Sequence, residues 1–490
     1  MHAPSFGGTD GDLSPREGQD QAVPSALAAV PAPAPAMTGA SSPRQKPGTP
    51  SLLRELNDRA ALELLLAEGP LTRAQLSDRT GVSKVTVSQM LARLEDRGLV
   101  MVAGEQAGGR GPNAALYSVV RSSAYVAGLY VESDLVSAAI ADVTGQCVAE
   151  ITVDSDGTDD PVVMVRDAIG RACESAGIGL DKLASVVIGS PGVLDPKTGA
   201  PRIAVNLPTW QEGVPDALRE VLHTPVVIEN DVNLAAMAER HWGAAAGLDD
   251  FAFVWLGTGL GLATVINGQV RRGVGGAAGE IGWMPVHGAP LPAGNEHPSK
   301  SGLQAIAGGL AVQTLAAEYG FTGATAADVV TAARADLARA RSSASAELPV
   351  GEAPDGEMAG GEMAGGEMAG GEMADGEMAD GEAAGGEMAA ADGSRAAAFF
   401  DELAHRVSIG VAAVCVVLDP DLVVLGGTVG KAGGAELAAR VAAGVRQLCL
   451  ARPAVVPTSL SDEPVLHGAI QAALAQARAG LLSSLGPGSE

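Results

Sequence analysis

The sequence predicts an α/β protein in which a small helix-turn-helix segment precedes a long, two-lobed body. Across the body, strand-like runs such as ASVVIGSPG, TPVVIEND and LVVLGG alternate with helix-like runs such as PVVMVRDAIGRACESAG. That alternation is typical of α/β architecture, and the length of the body indicates two lobes. Ahead of the body, two short helical patterns are joined by a turn at Gly81, as in a helix-turn-helix.

Composition divides the chain of 490 residues into ordered and low-complexity parts. Residues 1–50 are rich in Pro and Ala, and residues 344–394 repeat the unit GEMAG. Neither can bury enough apolar surface to order itself, so both are predicted to be disordered. The repeat holds 13 acidic residues and no basic ones, which is half of the net charge of −26. The ordered parts are predicted to be a winged helix at 51–121, a first lobe at 122–243 and a second lobe at 244–485.

Several classes of protein are excluded by simple sequence features. The chain has no uninterrupted apolar run of about 18 residues, so no membrane span is predicted. The N-terminus lacks the basic region and apolar core of a secretory signal. The cysteines are far apart and form no C-x-x-C pair, which fits free thiols in a reducing cytoplasm. These cysteines are Cys147, Cys173, Cys415 and Cys449.

The N-terminal ordered segment has the start and stop signals of three helices. SLLRELNDRAALELLLAEGP predicts one amphipathic helix, ended by Gly69 and Pro70, with an apolar face. The predicted face consists of Leu53, Leu56, Ala60 and Leu64. Thr72 and Gln75 form a capping box for the second helix. Ser83 caps the third helix.

The residues after the third helix predict a wing, since LVMVAGEQAGGRGPNAALYSVV has two strand-like ends and a glycine-rich tip. In a winged helix the N-terminal part of the third helix meets base edges in the major groove. The candidates for those contacts are Ser83, Lys84, Thr86 and Gln89. Arg93 and Arg110 are predicted to contact phosphates or the minor groove. A three-helix protein–protein module is the alternative, but the caps, turn and wing together favour double-stranded DNA.

The body resembles the ROK family of repressors, open reading frames and kinases. The motifs that carry the resemblance are IGSPGVLD, NLPTW, IENDVNLAAMAE, LGTGLGLATVINGQVRRG, AAGEIGWMPV and LDPDLVVLGG. The resemblance implies a two-lobed actin-like ATPase (ribonuclease H-like) sugar-kinase fold whose C-terminal helix returns to the first lobe. It also implies a homodimer or homotetramer, an inverted-repeat operator and a small-molecule sugar effector.

Polar side chains of the body are suited to a sugar, because amides and carboxylates bind vicinal hydroxyls. The resemblance places the following residues on the sugar: Asn206, Asn230, Asp231, Glu280, Trp283 and Gln304. It gives Asp231 the position of the kinase base, although an Asn-Asp pair also simply caps a helix. Backbone amides of glycine-rich turns approach anions closely. The vestigial phosphate positions are Gly257, Thr258, Gly259, Gly426 and Gly427.

Departures from the kinase pattern point away from phosphoryl transfer, which depends on positioning and charge neutralisation. The phosphate motif D-x-G-x-T of the family is replaced by Tyr130, Glu132 and Asp134. The zinc motif is also absent, because Trp283 replaces its histidine and its loop has no cysteine. His287 and His297 do not supply the four ligands of a zinc site. No catalytic residue, zinc, ATP or magnesium is therefore expected.

Three hypotheses remain open from the sequence. The preferred hypothesis is a transcription regulator, a repressor of carbohydrate-related genes, whose degenerate kinase body senses a sugar. The second is an active sugar kinase that also binds DNA, which Asp231 and LGTGLG favour. The third is a regulator that has lost ligand sensing, because Trp283 and Gln304 replace two sugar contacts of the family.

Overall fold

The computed structural model describes residues 50–107, 113–132, 135–154, 160–204, 210, 213–293, 299–346, 382–460 and 463–485. The predicted N-terminal tail up to residue 49 and most of the acidic repeat lie outside these residues. Within the described ranges, no helix combines the length and apolar character that a membrane crossing requires.

The N-terminal domain is a winged helix, as the local signals predict. Its elements are α1 (Pro50–Glu68), β1 (Leu71–Thr72), α2 (Arg73–Thr80), α3 (Lys84–Asp96), β2 (Val100–Gln106) and β3 (Ala114–Val119). The capping box of Thr72 and Gln75 is present at α2, and Gly81 takes a left-handed conformation at its end. The Ser83 side chain accepts a hydrogen bond from the amide of Thr86 and so caps α3. Strands β2 and β3 pair antiparallel and form the wing.

The prediction of which α1 residues form the buried face is wrong by about one residue position. Leu53 is 56% exposed and Leu56 is 53% exposed. The buried side chains are instead Ala61, Leu62 and Leu65. The sequence LELLL offers leucines to more than one face, so helical spacing alone does not decide which face meets the other helices.

The first lobe contains a five-stranded mixed sheet flanked by helices. Its elements are β4 (Tyr125–Val131), β5 (Leu135–Asp142), β6 (Cys147–Asp154), α4 (Pro161–Ala176), β7 (Leu183–Ser190), β8 (Gly192–Leu194), β9 (Pro201–Ala204), α5 (Val214–Leu222), β10 (Val226–Asn230) and α6 (Asp231–Trp242). The strand order is β10-β7-β4-β5-β6. Strands β4, β7 and β10 run parallel, whereas β4, β5 and β6 form an antiparallel meander.

The second lobe repeats this arrangement. Its elements are β11 (Phe251–Leu256), β12 (Leu260–Ile266), β13 (Gln269–Val270), a 3-10 helix (Ile281–Trp283), α7 (Gln304–Ala307), α8 (Gly309–Glu318), α9 (Ala326–Ala346), α10 (Glu382–Leu418), β14 (Leu422–Gly426), α11 (Gly427–Leu448), β15 (Ala454–Pro457) and α12 (Pro464–Ser483). The order β13-β12-β11-β14-β15 has the same parallel and antiparallel pattern as the first sheet. The duplicated sheet confirms the predicted actin-like fold class.

Two long helices refine the boundaries of the predicted insertion at 344–394. Helix α9 continues to Ala346, and α10 already begins at Glu382. The last part of the predicted disordered segment is therefore helical. The alanine-rich run AAADGSRAAA has high helix propensity and joins directly to the apolar helix that follows it, so the helix extends into it.

Helix α12 packs on the first lobe although it follows the second lobe in sequence. Val465, Ala469 and Ala473 share one apolar cluster with Val126 of β4 and Val187 of β7. The strands of the first sheet are therefore covered on one face by the last helix of the chain.

Candidate functional site

A cavity of about 390 Å³ lies where loops of the two lobes face each other. Its walls come from the end of β4, the start of α6, the β11–β12 turn and the 3-10 helix. The polar side chains in its walls are Tyr130, Glu132, Asn230, Asp231, Asn233, Thr258, Glu280, Gln304 and Thr428. Trp255 and Trp283 supply aromatic surface. Concave sites with a few polar groups among apolar and aromatic ones are the usual form of small-molecule sites.

Asp231 stands at the first position of α6, with its carboxylate in the cavity. Its Oδ1 accepts a hydrogen bond of 2.8 Å from the amide of Val232. Burial raises the pKa of this carboxyl from 3.8 to about 7, against the opposing effect of that amide, and the like charges of Glu280 and Glu132 add to the rise. Burial also raises the pKa of Glu280. The cavity therefore brings the carboxyl groups of Glu132 and Glu280 close to Asp231, and burial there favours the protonated form of Asp231.

Tyr130 and Glu132 lie in the same cavity as Asp231. Burial, together with the charges of Asp231 and Glu132, raises the pKa of the Tyr130 phenol, and a hydrogen bond to Glu132 adds to that rise. Among the described wall residues there is no Lys, Arg or His. Asp134 lies outside the described residues.

Gln304 lines the cavity, and its amide is also bound by the protein, so its assignment to the sugar stays a prediction. Its Nε2 donates to the carbonyl of Thr258 at 2.9 Å, and its Oε1 accepts from the amide of Leu260 at 2.9 Å. Both ends of the buried amide therefore fasten the β11–β12 turn. Gly257, Thr258 and Gly259 form that turn and line the cavity.

Asn230 lines the cavity as well and is also held by the protein, so its assignment to the sugar stays a prediction. Its Oδ1 accepts from the amide of Asn233 at 3.1 Å and caps α6. Its Nδ2 donates to the carbonyl of Gly192 at 3.0 Å. The simpler interpretation of the Asn-Asp pair as a helix cap is thus confirmed for Asn230. Asn206 lies outside the described residues.

Gly426 ends β14 and Gly427 begins α11, and both lie close to β11. A Cβ on Gly426 would lie 2.2 Å from the ring of Phe253, and one on Gly427 would lie 2.5 Å from the carbonyl of Leu256. The next residue, Thr428, reaches the cavity wall. These glycines allow close packing of β14 against β11 beside the site.

An ion pair between Glu229 and Arg272 joins the two lobes, and no sequence motif indicated it. The carboxylate of Glu229, at the end of β10, accepts from Nε of Arg272 at 2.6 Å and from Nδ2 of Asn233 at 2.9 Å. Glu229 is 7% exposed, and a buried carboxylate needs such partners. The partners are 43 positions apart in sequence, so no local pattern links them. A charged residue inside the apolar run TPVVIEND could have indicated that Glu229 has a buried partner.

Trp283 ends the 3-10 helix that carries Glu280 at its start, and both line the cavity. Gly279, just before them, has a φ of 99°. A Cβ there would lie 1.8 Å from the carbonyl of Leu262. The glycine therefore lets this wall approach β12 closely, which fixes Glu280 and Trp283 at the cavity.

Two histidines follow this wall in the sequence. His287 is exposed, and His297 lies outside the described residues. In the part of the chain that the structure describes, no group of three or more His, Cys, Asp or Glu side chains is placed to hold a metal ion.

The winged helix presents the start of α3 on its surface. Ser83, Lys84 and Gln89 are exposed, and Thr86 is half-buried with its hydroxyl 2.9 Å from that of Ser83. Val85 is 69% exposed between them, a residue that the sequence analysis missed. A polar face with one exposed apolar side chain is suited to base edges and thymine methyl groups.

Arg93 is paired with another residue of the winged helix, and its assignment to DNA phosphates stays a prediction. Its Nε and Nη2 donate to the two carboxylate oxygens of Asp58 at 2.8 and 2.5 Å. The pair ties α3 to α1, and Asp58 is only 8% exposed. The hydrogen bond to Asp58 raises the pKa of Arg93. Arg110 lies outside the described residues.

Comparisons with known proteins cover both parts of the chain. A model of the ROK family matches residues 127–346, and a model of the MarR family matches residues 56–111. The xylose repressor of Bacillus subtilis (strain 168) is 27% identical over 241 residues, which are 48% of this chain and 62% of that protein. A glucokinase of Halalkalibacterium halodurans is 33% identical over 158 residues, 31% of this chain and 46% of that protein.

A solved structure supports the same assignment of the fold. A ROK family transcriptional regulator, described as a homolog of the E. coli MLC protein, gives a TM-score of 0.61 at 17% identity. It covers 88% of this chain and 98% of its own. The chain spans less than two thirds of the length of the xylose repressor that it matches. With the duplicated sheet and the winged helix, these matches show a segment that matches the ROK family, preceded by a winged helix that matches the MarR family.

Proposed function

We propose that this chain is a DNA-binding transcription regulator, a repressor of carbohydrate-related genes, whose kinase-like cleft binds a sugar without phosphorylating it. The observation that carries the proposal is the combination of a winged helix with a cavity that holds carboxylates where a kinase holds phosphate. The xylose repressor, a relative over 241 residues, supports the same function.

The DNA-binding half of the proposal rests on the exposed start of α3. Lys84 and Gln89 contact double-stranded DNA in this proposal. Ser83 and Thr86 are hydrogen-bonded to each other and fix the first turn of α3. Val85 is suited to a thymine methyl group. A homodimer or homotetramer would present two such helices to an inverted repeat. A protein with this task works in the cytoplasm, on the nucleoid.

The sensing half rests on Asp231, Glu280 and Trp283, the three candidate sugar residues whose side chains line the cavity without another assigned role. Carboxylates accept hydrogen bonds from sugar hydroxyls, and an aromatic ring covers the apolar face of a sugar. The sugar must bind two conformations with different affinity in order to change DNA binding. Asn206 stays a candidate from the sequence.

The absence of phosphoryl transfer is part of the proposal. Tyr130 and Glu132 occupy the phosphate side of the cavity, and charge neutralisation is the main requirement of phosphoryl transfer. Neither ATP with magnesium nor zinc is proposed as a cofactor. An active kinase is the second candidate, because Asp231 is in place and a glucokinase is among the relatives.

The decisive experiment measures DNA binding and sugar binding on the same full-length chain. An operator is selected from random DNA, and its affinity is measured by fluorescence anisotropy with and without D-xylose or D-glucose. We expect one of these sugars, or another from a library, to change operator affinity by a factor of about 10. The Asp231→Ala variant should still bind the operator but should lose that response to the sugar.

The same preparations separate the rival functions. ATP-dependent phosphorylation of a hexose that Asp231→Asn abolishes would establish the kinase instead. Calorimetry that detects no sugar binding, together with unchanged operator affinity, would favour a regulator that has lost sensing. A chain that selects no DNA would refute the proposal at its first step.

A further inference from the structure

Helix α12 starts beside the candidate ligand cleft. A Cβ on Gly189, at the end of β7, would lie 2.6 Å from the side chain of Val465. A Cβ on Gly468 would lie 1.9 Å from the carbonyl of Leu234. Leu234 belongs to α6, whose first residue is Asp231 in the cavity wall. The backbone of α12 is therefore in close contact with the helix that presents the main candidate ligand-binding residue.

The other end of α12 is built into the winged helix. Leu482 and Leu485 belong to the apolar cluster formed by residues of α1, α2 and α3, and both are less than one tenth exposed. Arg97, which caps the end of α3, donates from Nη2 to the carbonyl of Ser484 at 2.6 Å. The hydrophobic core of the DNA-reading domain is thus completed by side chains from the end of the chain.

Between these ends, α12 is one continuous helix of 20 residues, which corresponds to a length of about 30 Å. Its middle is fixed to the first lobe by two hydrogen bonds. Arg478 donates from Nε to the carbonyl of Val143 at 3.0 Å, and Ser185 donates to Oε1 of Gln476 at 3.0 Å. A helix held in this way transmits a shift at one end to the other, because its packed contacts rearrange as a unit.

We propose that α12 is the element through which occupation of the cleft changes the DNA-reading domain. The inference rests on the proposed function and adds the route of regulation. A ligand that moves the start of α6 moves the α12 backbone that packs on it. The displacement reaches α3 through Leu482, Leu485 and the bond between Arg97 and Ser484.

The test weakens the winged-helix end of α12 and leaves the cleft unchanged. The variant is Arg97→Gln with Leu485→Ala, and the matched control is Arg166→Gln, an exposed arginine of α4. The cleft end is perturbed in two ways, by saturating D-xylose or D-glucose and by Asp231→Asn. Operator affinity of the full chain is measured for each combination, and calorimetry records sugar binding separately.

We expect the cleft perturbations to change operator affinity by a factor of about 10 in the wild type and in the control, and by less than about 2 in the variant. An equal factor in variant and wild type would overturn the inference, as would a wild type that responds to no cleft perturbation. If circular dichroism shows that the double variant does not fold, the single variant Arg97→Gln is tested instead. It should reduce the change in operator affinity by about half or more.

The two proposals fail in different ways. A sugar that calorimetry shows not to bind counts against the proposed effector. The response to Asp231→Asn still tests the role of α12 in that case. A sugar that binds and alters DNA affinity equally with and without the Arg97 contact supports the sensor but refutes this route.

Discussion

The carboxyl group of Asp231 should destabilise the folded protein at neutral pH, and its removal should stabilise the chain. Its pKa rises from 3.8 to about 7, mainly through burial and with a contribution from Glu280 and Glu132. The folded state therefore holds this proton more tightly than the unfolded chain does. The contribution of Asp231 to stability is complete below about pH 4, falls as pH rises to about 7, and is constant above that pH.

The size of the effect follows from the same two pKa values. The interval from 3.8 to about 7, at about 1.4 kcal/mol per pH unit, gives an upper limit of about 4 kcal/mol. The Asp231 residue keeps part of its surface exposed, which reduces the effect of burial, so we expect about 1–2 kcal/mol. Asp231→Asn keeps an oxygen for the amide of Val232, which lies 2.8 Å from Oδ1. The substitution therefore removes the charge and keeps the cap.

The assay is urea unfolding of wild type and Asp231→Asn at about pH 8 and about pH 5.5, where about half of the difference should remain. The control is Asp195→Asn in the same lobe. The amide of Lys197 lowers the pKa of that exposed carboxyl, so its removal should not stabilise the chain. The reasoning is refuted if Asp231→Asn is no more stable than the wild type at the higher pH, or if both proteins show the same dependence on pH.

Three further predictions concern the turn, the long helix and the DNA face. Gln304→Glu cannot donate to the carbonyl of Thr258 and should lower the free energy of unfolding by about 1–3 kcal/mol in urea. Gly468→Ala places a methyl group 1.9 Å from the carbonyl of Leu234, and thermal unfolding should show a loss of about 1–3 kcal/mol. Lys84→Ala should weaken operator binding and relax the selection of bases at the position that Lys84 contacts; unchanged affinity and selectivity would argue against a base-edge contact.

The winged helix could be predicted from the sequence because its signals are local. Thr72 and Gln75 are three residues apart, and Ser83 is adjacent to the helix that it caps, so each cap can be recognised without knowledge of the fold. The face of α1 could not be predicted in this way. Leu62 is buried because of the way α1 packs against α3. The ion pair between Asp58 of α1 and Arg93 of α3 lies at this contact, and its partners are 35 positions apart in sequence.

In the cleft, too, residues that belong to a known motif could be predicted, whereas contacts between distant residues could not. Resemblance to a known motif placed Asp231 and Glu280 in one site, and the structure brings them together. It did not reveal where amides point, because Gln304 finds its partners in a turn 44 and 46 positions earlier. Glu229 with Arg272 was missed for a related reason, since a pair formed between two lobes leaves no periodic pattern in either segment.

The return of α12 to the first lobe has a consequence for synthesis of the chain on the ribosome. The first sheet and the winged helix both lack part of their apolar cover until residues 464–485 emerge, although domains commonly fold from the N-terminus during translation. A chain cut short before Pro464 would lack Leu482 and Leu485 in its winged-helix core. Incomplete chains would therefore compete poorly with finished ones for the same DNA.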